Sequence, residues 1–161
     1  MIAIFRRGRF AFAVMVLSAV LGACGDDPVD VVVFEVIEEL TFAASTGVVL
    51  ADMQMLTSGV YIQDITVGTG AVVEVGSVAT ITYQGWLASG TAFDAGTLPF
   101  NIGFGTTGRA IEGFEEGVLG MLVGGTRLIV IPPALAYGSR AIGAIPAGSV
   151  LVFQVTMDSL S

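Results

Sequence analysis

The chain has 161 residues, 54% hydrophobic and 12% charged, enough for one domain with a true core plus extra segments. Six basic against fourteen acidic residues give a formal charge of −8, which disfavours nucleic-acid binding through a basic surface. With no histidine and a lone cysteine, Cys24, the chain lacks the usual general base of Ser/His/Asp or Cys/His catalysis. It also cannot build a cysteine zinc site or an internal disulfide, so neither a metal nor a cofactor is expected.

Arg6, Arg7 and Arg9 precede an apolar run from Phe10 to Ala23. At about 1.5 Å per residue the run is short for a membrane span, but it suits the core of an export signal. Leu21-Gly22-Ala23-Cys24 closes it and resembles the bacterial lipobox, whose cysteine sulfur carries a diacylglyceryl group. Residues 1–23 are therefore expected to be a lipoprotein signal peptide, with Cys24 lipidated at the mature N-terminus. A plain cleaved signal or a retained anchor are the alternatives. Stable anchoring takes two or more acyl chains. The expected location is the bacterial envelope, facing the periplasm or the outside. Gly25 after the cysteine, in place of an aspartate, leans toward the outer membrane.

Gly25-Asp26-Asp27-Pro28 is polar and turn-prone, as a tether requires. The following stretch to Leu40 is too apolar and β-branched for a solvated linker, and order is expected from Val31 to Ile37. Together with Phe42, Val48, Val49 and Leu50 it is expected to pack on the outside of the main domain and cover part of a sheet. The competing reading is a partner or dimer interface. Residues 24–57 thus form a tether and partly ordered extension, and residues 58–161 the main domain.

Within that domain, residues 60–67 read as a first strand with Gly68-Thr69-Gly70 as its turn. Residues 77–87 alternate so that Ala79, Ile81, Tyr83 and Leu87 share one face. A Ser89-Gly90 turn leads to Thr91–Gly96, and Leu98–Ile102 forms a separate short strand before the glycine-rich stretch 103–108. Residues 110–119 carry the helical pattern: Ile111, Phe114, Val118 and Leu122 fall on one face, and Glu112, Glu115 and Glu116 on the other. Gly120 offers its stop. Thr126–Ile131 is a strand ended by Pro132-Pro133, and residues 150–157 form the last, with Leu151, Phe153, Val155 and Met157 on one face. Five or six strands and one short helix make an α+β domain in which an antiparallel sheet wraps the helix.

The run Ile111-Glu112-Gly113-Phe114-Glu115-Glu116-Gly117, with Tyr83-Gln84-Gly85, Phe93-Asp94, Pro99-Phe100, Tyr137-Gly138 and Val150-Leu151-Val152-Phe153, resembles the FKBP family of peptidyl-prolyl cis/trans isomerases. The resemblance covers roughly residues 58–160. It implies the FKBP fold and a proline pocket whose catalytic residues are Tyr83, Phe93, Asp94, Ile111, Phe114, Tyr137 and Phe153. Phe100, Ala110 and Ile145 complete the expected substrate contacts. In that comparison Asp94 accepts a hydrogen bond, the Ile111 amide holds one substrate carbonyl, and Tyr137 donates to another. Phe114 stands where well-studied eukaryotic members have tryptophan. The implied partners are proline-containing polypeptides and tacrolimus- or rapamycin-type macrolides, to which the lipobox adds the membrane through Cys24. A non-catalytic client-binding module or chaperone is the competing function, and a purely structural envelope lipoprotein a third.

Overall fold

The structure is a computed structural model that describes residues 31–103 and 110–161; the expected signal, Cys24, the tether to Asp30 and most of the glycine-rich stretch lie outside them. Among the described residues six strands form one antiparallel sheet: β1 Gln54–Met55, β2 Tyr61–Thr66, β3 Val78–Leu87, β4 Ala92–Asn101, β5 Thr126–Ile131 and β6 Leu151–Leu160. Their order across the sheet is β1-β2-β5-β6-β3-β4. A single described α-helix, α1 (Glu112–Val118), packs on the inner face. This is an α+β architecture in which one antiparallel sheet packs on a short helix, as the sequence predicts.

The alternation of β5 explains how both faces are covered. Ile129 and Ile131 point to the helix side, while Leu128 and Val130 point away, and all four are essentially inaccessible to solvent. The same parity in β6 sends Leu151, Phe153, Val155 and Met157 inward and Val152 outward. The outer side is not bare. Ile37, Leu40, Phe42, Val48, Leu50 and Met53 of the N-terminal extension pack there against Leu128, Val130, Val150 and Val152. Ile37 opens a 3-10 turn, not a strand, and Val49, expected to join this cover, is exposed.

Two elements differ from the sequence expectation. Residues 92–101 are one continuous edge strand, where the pattern predicted a turn-led segment and a short strand. Pro99 fits within it because an edge strand can spare the amide that proline lacks. The helix is also shorter than expected, and Leu122 leaves its face to form an isolated bridge with Val72.

Seven residues are too few for a stable helix in water. Packing and one side chain hold it. Gly113 and Gly117 face the sheet, and a Cβ on either would run into the methyl groups of Ile131 and Ile129 respectively. Arg127, buried in β5, donates to the carbonyls of Gly117 at 3.0 Å and Leu119 at 2.9 Å. The same guanidinium bonds both oxygens of Asp64, at 2.7 and 3.1 Å. It thus supplies positive charge and donors where a helix C-terminus has neither.

Candidate functional site

A pocket opens between the inner face of the sheet and the helix. Its walls are Ile81 and Tyr83 from β3, Phe93, Asp94, Leu98 and Phe100 from β4, Ala110, Ile111 and Phe114 around the helix start, Phe153 from β6, and Tyr137. About 470 Å³ of open space lies among them, mouth included.

Phe114 is the floor. Its ring meets Phe100 at 5.6 Å, Phe153 at 5.1 Å and Tyr83 at 6.3 Å between centroids, all nearly perpendicular. Edge-to-face packing of this kind sets the positive rim of one ring on the negative face of the next, which fixes ring orientation as well as burying area. Phe93 adds to it at 5.5 Å from Phe153. Room for these rings comes from Gly85, where a Cβ would stand 2.8 Å from Phe93 and 3.0 Å from Phe153.

Strict alternation would send Phe93 and Asp94 to opposite faces of the sheet. Both line the pocket because the pairing slips there: Gly85 is opposite Asp94, but Trp86 is opposite Ala92. Phe93 is the extra residue of a β-bulge, a device that re-aims a side chain. From Asp94 onward the even residues Leu98 and Phe100 keep to the inner face opposite Ile81 and Ala79.

Polar groups sit at the rim. The Tyr83 hydroxyl donates to Asp94 Oδ2 at 2.8 Å, and Asp94 Oδ1 accepts the Ala95 amide at 2.9 Å. Burial, and then the carboxylate of Asp94, push the Tyr83 phenol up to about 12, so it stays a neutral donor at any physiological pH. Tyr137 follows the 3-10 turn Pro133–Leu135 and exposes about a third of its surface at the mouth. Ile111 is the helix N-cap: its carbonyl accepts the Phe114 amide at 3.0 Å, while its own amide lies outside the helical ladder.

Nine of the ten residues expected at the pocket are brought together there. Ile145 is not. It is buried in the main core behind a tight bridge with Ile142, which is the large apolar side chain that the hairpin exposes. Ile81 and Leu98 line the pocket without having been expected. Each lies two residues before an expected one, Tyr83 and Phe100, on the same face of its strand, and that period was the available signal.

The chain is similar to known proteins in sequence and in fold. A family model described as FKBP-type peptidyl-prolyl cis-trans isomerase matches residues 70–158. FK506-binding protein 4 of Chaetomium thermophilum is 45% identical over 104 residues, 63% of this chain and 21% of that protein. FK506-binding protein 3 of Candida albicans is 43% identical over 107 residues, 65% of this chain and 25% of that protein. The chain therefore spans about a quarter or less of the length of these relatives. Among solved structures, AtFKBP13 superposes with a TM-score of 0.61 at 32% identity, over 68% of this chain and 98% of that one. FkpA from Escherichia coli gives 0.61 at 29% identity, over 68% of this chain and 52% of that one.

Proposed function

Because the chain belongs to the FKBP-type peptidyl-prolyl cis-trans isomerase family, we propose that its pocket accelerates cis/trans isomerisation of X-Pro bonds in polypeptide clients. The observation that carries this reading is the box of perpendicular aromatic rings with hydroxyl donors confined to its rim. Rotation about a peptide bond costs about 18 to 20 kcal/mol because it breaks amide resonance, and no nucleophile is needed to lower that barrier. The twisted amide has lost the charge separation of the planar form. A site that strips water from the bond and grips the prolyl ring over Phe114 therefore stabilises the twisted state more than either planar one. The Tyr137 hydroxyl and the Ile111 amide hold the flanking carbonyls while the bond turns, each worth about 0.5 to 1.5 kcal/mol net. Asp94 holds Tyr83 against the wall and faces the substrate.

The export pattern of residues 1–23 and the lipobox at Cys24 support a lipid-anchored place in a bacterial envelope, with exported proteins as clients. The apolar pocket is also of a kind that accepts a tacrolimus- or rapamycin-type macrolide. Exposed Val31, Val33, Phe34 and Val36 favour one second reading, a client-holding module that uses the extension as well as the pocket.

The test follows cis-to-trans relaxation of a Leu-Pro peptide with soluble protein beginning at Gly25, beside Asp94→Ala and Tyr137→Phe. Acceleration that both substitutions weaken in folded protein supports catalysis at this pocket. A folded wild type that leaves the spontaneous rate unchanged leaves the client-holding reading in its place.

A further inference from the structure

The strap formed by Val33–Glu35 lies outside the segment that matches the family, yet it is joined to the lip of the pocket by a short relay of backbone bonds. The lip is the loop that begins at Tyr137, turns back through the Ile142–Ile145 bridge and closes where the Gly148 amide donates to the Gly138 carbonyl at 2.8 Å. Gly148 is also where the strap is seated. Its carbonyl accepts the Glu35 amide at 2.8 Å, and two residues on the Val150 amide donates to Glu35 Oε2 at 2.7 Å.

The seat is specific to glycine for two reasons. Gly148 has φ +76, in the left-handed region, and a Cβ there would strike the Val33 carbonyl and come within 3.1 Å of Phe34 Cα. A backbone laid this closely over one residue ties its position to the strap's. Val150 is fully buried, so its amide has no water to fall back on if the Glu35 carboxylate is removed.

We infer that Glu35 is a positioning residue for the pocket: by gripping Gly148 and Val150 from the outer face of the sheet, it fixes the loop that carries Tyr137 over the substrate. The inference rests on the prolyl-isomerase reading for its catalytic consequence, though not for the structural link. The extension then does more than cover the sheet. It couples the N-terminal extension to the loop that carries Tyr137.

The experiment compares Glu35→Ala and Glu35→Gln in the chain beginning at Gly25, reading amide hydrogen exchange and kcat/KM on a Leu-Pro peptide. Glu35→Ala should speed exchange about tenfold at Gly148, Ile142 and Ile145 while leaving β3 and β5 unchanged, and lower kcat/KM by about three- to tenfold. Glu35→Gln, whose amide oxygen still accepts from Val150, should stay close to wild type. Exchange that is unchanged, or that rises evenly through β3 and β5, overturns the inference, as does local loosening with full kcat/KM. A wild type without isomerase activity would sink the catalytic reading instead, and the exchange data would still decide whether Glu35 holds the loop.

Discussion

Across the pocket wall the Tyr83 hydroxyl lies 2.8 Å from Asp94 Oδ2, joining the inner face of β3 to the residue just past the β4 bulge. The proton stays on tyrosine, because burial first and the carboxylate second raise its pKa from 10.0 to about 12. A folded-state pKa above the unfolded one means the folded chain holds the extra proton. This contribution to stability is full below about pH 10 and is lost as pH rises through 12. Absorbance titration in a Tyr61→Phe, Tyr137→Phe background, which leaves Tyr83 as the one tyrosine of the chain, should show it ionising well above 10. Adding Asp94→Ala should bring Tyr83 part of the way down, since burial remains. Complete return to 10 would mean the carboxylate, and not burial, is the main cause.

Gly117→Ala should destabilise the domain although it improves helix propensity. Alanine gains about 1 kcal/mol over glycine in a helix interior. Against that, its methyl would stand 2.5 Å from Ile129 Cγ2 and 2.8 Å from Cδ1, and overpacking of this kind costs about 1 to 3 kcal/mol. A net loss is expected in urea denaturation, together with slower Leu-Pro turnover as the helix lifts Phe114. A stabilised Gly117→Ala would show that the helix is free to move away from β5.

Arg127 and Asp64 should not cost the same to remove. Asp64 is 39% exposed and its pairing oxygens are readily hydrated, so Asp64→Asn is expected to lose about 1 kcal/mol or less. Arg127→Met instead leaves the Gly117 and Leu119 carbonyls without their donor at the buried end of the helix, at about 1 to 3 kcal/mol each. Equal losses in the two variants would place the value of the site in the ion pair, and not in the helix cap.

Truncation of the pocket floor is the most severe of these changes. Phe114→Ala removes a ring packed against Phe100, Phe153 and Tyr83, for which about 3 to 5 kcal/mol is expected, with loss of turnover in whatever protein stays folded. Phe114→Leu should keep most of the stability and lose more of the rate, because leucine fills volume without offering a flat face. If Phe114→Leu turned over like wild type, apolar volume alone would suffice at the floor.

Much of this pocket was legible before any fold was known. The period-two pattern of residues 77–87 placed Ile81 and Tyr83 on one face, and the period of the helix turned Phe114 inward, because side-chain direction follows local geometry. The family motif added Phe93, Asp94 and Tyr137, which no periodicity joins. Ile145 was misplaced because its motif position says nothing of the Ile142 bridge that draws it into the core. Arg127 carried no local signal at all: its partners lie 63 residues earlier in β2 and 8 to 10 residues earlier at the C-terminal end of the helix.

Pattern and residue type settled the class of fold, the extent of β2, β3, β5 and β6 to within a few residues, and the aromatic character of the site. Tertiary structure alone decided that residues 92–101 run as one edge strand and that Phe93 and Asp94 face the same way. It also decided that Glu35 reaches Gly148 and Val150 across the sheet. Each of these depends on which strand lies beside which. Strand pairing is a choice among distant segments that compete to bury the same kinds of surface, and no local pattern encodes its outcome.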